Sequence, residues 1–168
     1  MGLTGVVGRE WPKFSKVNND PAEPVDSSNH RLRLFQSVDM PKPMPIGARA
    51  TAEEIVEFKH TLTAHHPELP PLYSTPDMIR LMETAAFLAL QPYCDAREIT
   101  VGTAINIEHR AASGVGSHIL ADAVLESFDG RFYTLRVTAR DEVQEIGRGT
   151  VSRAVVSVSK FLDIKKTK

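Results

Sequence analysis

Only one cysteine, Cys94, occurs in 168 residues. A single thiol excludes a disulfide framework and a cysteine-based zinc site, and points to a reducing compartment. No apolar run approaches the roughly 20 residues that a membrane helix needs, and the N-terminus lacks the basic-then-apolar layout of a secretory leader. The chain therefore reads as soluble, with the cytoplasm as default location and no membrane partner. Charge of one sign is also missing: 20 Lys and Arg face 21 Asp and Glu, for a net charge of −1. Such a balance provides no overall field to gather nucleic acid. Several motifs are absent too. There is no G-x-S-x-G elbow and no Walker loop, and Gly147, Gly149 and Ser152 lack the third glycine of a dinucleotide fingerprint. Met1-Gly2 is followed by Val6 where myristoylation wants Ser or Thr, so lipidation is set aside.

What is present falls into two parts. Six of the 11 prolines precede Ile46, in a polar stretch with little hydrophobic periodicity. Residues 1–46 are therefore expected to be an extension with short extended pieces, His30 to Phe35 being the best candidate. A chain of 168 residues favours one domain, and a domain of that size buries roughly 70% of the surface its unfolded chain exposes; residues 47–162 are expected to form it. Residues 163–168 form a basic tail. Ala48 to Phe58 carries two signals: Thr51 and Glu54 make a helix capping box, while Ala48, Ala50, Ala52, Val56 and Phe58 share a face at period two.

The clearest helix runs from Pro76 to about Leu90, with Thr75 as its cap, Pro76 in the first turn and Asp77 at the positive end of the dipole. Met78, Leu81, Met82, Ala85, Leu88 and Ala89 fill one face, and Ile79, Ala86, Phe87 and Leu90 fill a second. So little polar surface implies enclosure. Val101–His109, His118–Phe128, Phe132–Arg140 and Ile146–Phe161 then read as strands. Asp129-Gly130 is expected to make a two-residue type I′ hairpin, with Ser113-Gly114 and Arg140–Gln144 as the other turns. The expected fold is α+β: an antiparallel sheet wrapped around one long apolar helix, the hotdog arrangement.

Two side chains sit awkwardly in that pattern. Glu83 projects from an apolar stripe formed by Ile79, Ala86, Phe87 and Leu90. A carboxylate there needs a partner, a shifted equilibrium or a water-filled site, and pairing with Arg80 at the helix rim is the plain alternative. His109 alternates with Val101, Thr103, Ile105 and Ile107 on a mostly apolar strand face, as either a structural histidine or a catalytic one. If strand and helix cross, Thr75, Glu83 and His109 supply a hydroxyl, a carboxylate and an imidazole suited to acyl transfer. His60, His65 and His66 lack carboxylate or cysteine partners at ligand spacing, so a surface loop is expected and no metal site. Leu69, Leu72 and Tyr73 make a stiff apolar entry to the helix, lining either a pocket mouth or the core.

Three stretches carry a resemblance: STPDMIRLMETAA (74–86), VGTAINIEHRA (101–111) and EIGRGTVSRA (145–154). A Thr, a Glu eight residues on and a His twenty-six beyond that reproduce the catalytic layout of the fluoroacetyl-CoA thioesterase-like hotdog proteins, which the chain resembles from Gly47 to Phe161. The resemblance implies catalytic roles for Thr75, Glu83 and His109. It places Gly102 with its backbone N–H toward the thioester carbonyl, and matches Arg153 on the last strand to a substrate-binding group, a structural ion-pair partner of Glu or Asp being the alternative there. It also favours strand for Ala48–Phe58, a homodimer with sheets joined edge to edge, and an acyl-CoA site near the subunit interface. The implied activity is hydrolysis of a short or medium acyl-CoA thioester, with no cofactor because CoA belongs to the substrate. The rival is a non-catalytic acyl-CoA binding module. A hotdog dehydratase would need an Asp and His pairing that is not found in the expected place.

Overall fold

The computed structural model describes residues 43–159. The extended piece expected at His30–Phe35 and the basic tail lie outside the described residues. In chain order the elements are β1 (Arg49–Ile55), a 3-10 turn (Phe58–His60), α1 (Leu62–His65), α2 (Thr75–Leu90), a second 3-10 turn (Gln91–Tyr93), β2 (Glu98–His109), β3 (His118–Phe128), β4 (Tyr133–Arg140) and β5 (Glu145–Ser157). The five strands form one antiparallel sheet in the order β1-β3-β4-β5-β2. The ambiguous segment after Ala48 is thus a strand, although it stops at Ile55.

Alternation explains the inner face. Ile119, Ala121, Ala123 and Leu125 of β3 and Tyr133, Leu135, Val137 and Ala139 of β4 are buried, and they meet Met78, Leu81, Met82, Ala85, Ala86, Ala89 and Leu90 of α2. The alanines of the sheet leave room for the helix to lie close. Leu88, expected inside, is 42% exposed, because the sheet covers α2 from one side only.

The helix begins one residue earlier than expected. Ser74 is the cap: its hydroxyl oxygen accepts the Asp77 N–H (3.2 Å), and its carbonyl accepts the Met78 N–H (3.0 Å). Thr75 is the first helical residue, and its hydroxyl is released from capping.

Two further local expectations need correction. The β3–β4 hairpin pairs Phe128 with Tyr133, and Asp129 contributes its carboxylate, which accepts the Arg131 and Phe132 N–H groups at 2.9 and 2.7 Å. Gly130 alone takes positive φ there (94°), so the turn is not type I′. Strand β2 is bulged: Gly102 pairs with Arg153 and Ala104 with Ser152, leaving Thr103 as the extra residue, its hydroxyl donating to the Ser152 carbonyl at 3.0 Å. The bulge shifts the alternation by one. Thr100 and Gly102, not Val101 and Thr103, therefore share the inner face with Ile107 and His109.

The β4–β5 turn is held by Asp141, whose Oδ1 accepts the Val143 and Gln144 N–H groups (both 2.8 Å) and whose Oδ2 accepts the Ser113 hydroxyl (2.8 Å). Burial pushes the Asp141 carboxyl up, but the Gln144 N–H, the Ser113 hydroxyl and the Val143 N–H outweigh it and hold the group below its ordinary range. The resulting stabilisation is full above the pKa of the unfolded chain and is lost as pH falls through the lowered folded value. Asp141→Asn is expected to be about 1 kcal/mol less stable near neutral pH. In urea titrations that deficit should shrink as the solution is acidified; a deficit independent of pH would contradict the account.

Candidate active site

The first residue of α2 and the last of β2 meet. Thr75 Oγ1 lies 2.9 Å from His109 Nδ1, within hydrogen-bond reach. His109 Nε2 is buried and has no hydrogen-bond partner among the described residues. Both side chains line a cavity of about 360 Å³, shared with Leu62, Leu72, Tyr73 and Arg110. A hydroxyl bonded to an imidazole at a cavity is an arrangement able to move a proton.

The entry segment splits on inspection. Leu72 is half-buried and bridges to Gly114, while Tyr73 is buried and bridges to Thr61, so the chain before α2 is tied down on both sides. The Tyr73 hydroxyl donates to Glu54 Oε1 at 2.5 Å, and burial, reinforced by that carboxylate, pushes its pKa far above the ordinary phenol value. Leu69 is exposed and stands outside the cavity lining.

Glu83 belongs to a neighbouring cluster. It lies eight residues after Thr75 on α2, about 12 Å along the helix axis, and the structure joins it by hydrogen bond to neither Thr75 nor His109. Its Oε1 is 3.0 Å from Arg153 Nη1, an ion pair whose angle falls outside hydrogen-bond geometry. The expected rim pairing with Arg80 does not occur, because Arg80 binds Glu54 and Asp77 instead. Arg153 is 5% exposed, and Thr100 takes two of its nitrogens: Nε donates to Thr100 Oγ1 (3.0 Å) and Nη2 to the Thr100 carbonyl (2.8 Å). In this structure Arg153 is therefore a clamp on Glu83. Local pattern did not single out Thr100; its place on the inner face depends on the bulge.

Gly102 makes the contact between helix and strand possible. A Cβ there would lie 2.5 Å from Glu83 Oε2 and 3.1 Å from Oε1. Gly102→Ala is expected to push the carboxylate aside with little effect on stability, since the obstructing atoms end a flexible side chain. Thermal melting beside assays of thiol release from acyl-CoA esters checks this expectation: turnover should fall about tenfold or more with the melting temperature nearly unchanged.

The three histidines expected in a surface loop part company. His65 and His66 are exposed, but His60 is buried in the first 3-10 turn, its Nδ1 accepting the Glu57 N–H at 3.2 Å. Among the described residues no three His, Cys, Asp or Glu side chains are grouped to hold a metal ion, and no helix is long and apolar enough to cross a membrane.

A five-stranded antiparallel sheet packed on one long helix defines the hotdog fold. A crystal structure of a hot-dog-like protein from Thermanaerovibrio acidaminovorans shares the fold, with a TM-score of 0.68 at 19% identity over 74% of this chain and 94% of that one. Residues 56–159 match the fluoroacetyl-CoA-specific thioesterase family. The chain is 38% identical over 124 residues to the fluoroacetyl-CoA thioesterase of Streptantibioticus cattleyicolor, covering 70% of this chain and 89% of the relative. A solved structure of a fluoroacetyl-CoA thioesterase superposes with a TM-score of 0.69 at 35% identity, over 76% and 99% of the two chains. This chain belongs to the fluoroacetyl-CoA-specific thioesterase family and is a thioester hydrolase.

Proposed function

We propose that this protein hydrolyses a short or medium acyl-CoA thioester to the free acid and CoA, using Thr75, Glu83 and His109. The observation that carries the reading is the 2.9 Å Thr75–His109 contact at the cavity, with a carboxylate packed against Gly102 two helical turns away. In this reading the thioester lies between the two clusters, with the Gly102 N–H toward the developing oxyanion. The Glu83 carboxylate activates a water or attacks the acyl carbon itself, and His109, oriented by Thr75, protonates the departing CoA thiolate. Hydroxylamine present during turnover separates the routes, because only direct attack yields a Glu83 hydroxamate. A related thioesterase, 36% identical over 74% of this chain, was solved as a variant with acetyl-CoA bound, which supports a CoA ester as substrate. The chemistry asks for no cofactor.

The same reading includes a homodimer. Strand β2 is a 12-residue edge with one paired side, and Ile105 on it is 48% exposed. So long an edge invites pairing with a second copy.

The test is free-thiol release from acetyl-, fluoroacetyl-, longer-chain and aromatic CoA esters. Turnover on at least one, with kcat/KM far above the others, is the expected result. Tight binding without thiol release across the panel would instead favour the binding module.

A further inference from the structure

Five side chains close a polar ring around the entry to α2. The Tyr73 hydroxyl donates to Glu54 Oε1 of β1 at 2.5 Å. Arg80, one turn into α2, donates through Nη2 to the other Glu54 oxygen, and its Nε lies 3.5 Å from Asp77 Oδ1. Asp77 Oδ2 accepts the Ser74 hydroxyl at 2.6 Å. Ser74 follows Tyr73 in the chain, so a single peptide link completes the circuit, and the next residue is Thr75. The carboxylates are well sheltered, with 14% and 15% of the Glu54 and Asp77 side chains exposed, whereas Arg80 is about half-exposed.

This ring lies apart from the reacting groups, yet it holds the two residues whose torsions set where Thr75 begins. A small rotation about residues 73 and 74 moves Thr75 Oγ1 by about 1 Å, enough to break a 2.9 Å contact and to slow a reaction that depends on alignment. We propose that Glu54 is a positioning residue for thioester hydrolysis: acting through Tyr73, Arg80 and Asp77, it holds the Thr75 hydroxyl at His109. The inference rests on the reading of Thr75 and His109 as working groups. A ring that merely stapled β1 to α2 would contribute to stability alone.

The experiment compares the full chain with Glu54→Ala, Glu54→Gln and Arg80→Gln. Two quantities are measured: kcat and KM from thiol release, and the ¹⁵N resonance of His109 Nδ1 in the unliganded protein, with Thr75→Ala as reference. Glu54→Ala should lower kcat about tenfold with KM within about twofold, and move the His109 resonance toward its position in Thr75→Ala. Glu54→Gln still accepts the Tyr73 hydroxyl through its one amide oxygen but loses the Arg80 bond, so its kcat should fall between those of Glu54→Ala and the parent chain. Arg80→Gln, at a half-exposed position, should act in the same direction and serves if Glu54→Ala does not fold. Folded variants with kcat and the His109 resonance unchanged would overturn the proposal, as would a fall in kcat with the resonance in place. If the parent chain releases no thiol from any ester, the hydrolase reading fails by itself, and the His109 resonance alone decides whether Glu54 positions Thr75.

Discussion

Glu83→Gln should turn over the best acyl-CoA ester on the order of 10²-fold or more slowly than the parent chain, while remaining folded. Glutamine preserves the shape that packs against Gly102, so the helix–strand approach survives. What disappears is the negative charge, and with it both routes to an attacking oxygen in the proposed mechanism. Arg153 loses its ion-pair partner but keeps both bonds to Thr100. The Glu83 side chain is 25% exposed but that of Arg153 only 6%, so leaving the guanidinium charge without its carboxylate should cost up to about 3 kcal/mol. Thermal melting and thiol release on one preparation give both numbers. Unchanged turnover would remove Glu83 from the reaction.

The second large effect comes from a glycine remote from the cavity. Gly149 of β5 lies opposite Ile107 of β2 with φ of 155°, and a Cβ there would sit 2.0 Å from the Asn106 carbonyl oxygen and 2.9 Å from Ile107 Cα. Both obstructing atoms are backbone, so relief requires β2 to move. Gly149→Ala is expected to lose about 3 kcal/mol or more through strain and overpacking together. Activity should fall with it, since β2 carries Gly102 and His109. Gly147→Ala is the control. Its Cβ would meet mainly Met78 Sδ (2.5 Å), the flexible end of a side chain, with the Glu108 carbonyl at 3.1 Å, so the loss should stay near 1–2 kcal/mol. Equal melting temperatures for the two variants would refute this ranking.

The two glycines show where reading the chain reached its limit. As letters, Gly147 and Gly149 looked like an incomplete nucleotide-binding signature, because spacing alone does not reveal that β5 runs against β2 and Met78. The bulge at Thr103 is similar. Alternation was legible, but one extra residue inverts it, and with it the partner of every residue upstream. Arg153 was legible as an arginine on the last long strand, yet only packing shows it enclosed by Thr100 and Glu83. The Glu54–Tyr73–Arg80 ring joins three segments whose local patterns gave no reason to connect them.

Residue order by itself determined the apolar helix, four strands after it, the positions of the turns between them, and the Thr, Glu and His spacing on which the family resemblance was read. These depend on periodicity and turn chemistry within short windows, where side-chain direction follows from neighbours in the chain. Tertiary structure alone decided that Ser74 rather than Thr75 caps the helix, that Thr75 is thereby free to meet His109, and that Glu83 stands with Arg153 against Gly102. Those outcomes depend on strand register and the depth of helix packing, which arise from contacts tens of residues apart and leave no periodic trace along the chain.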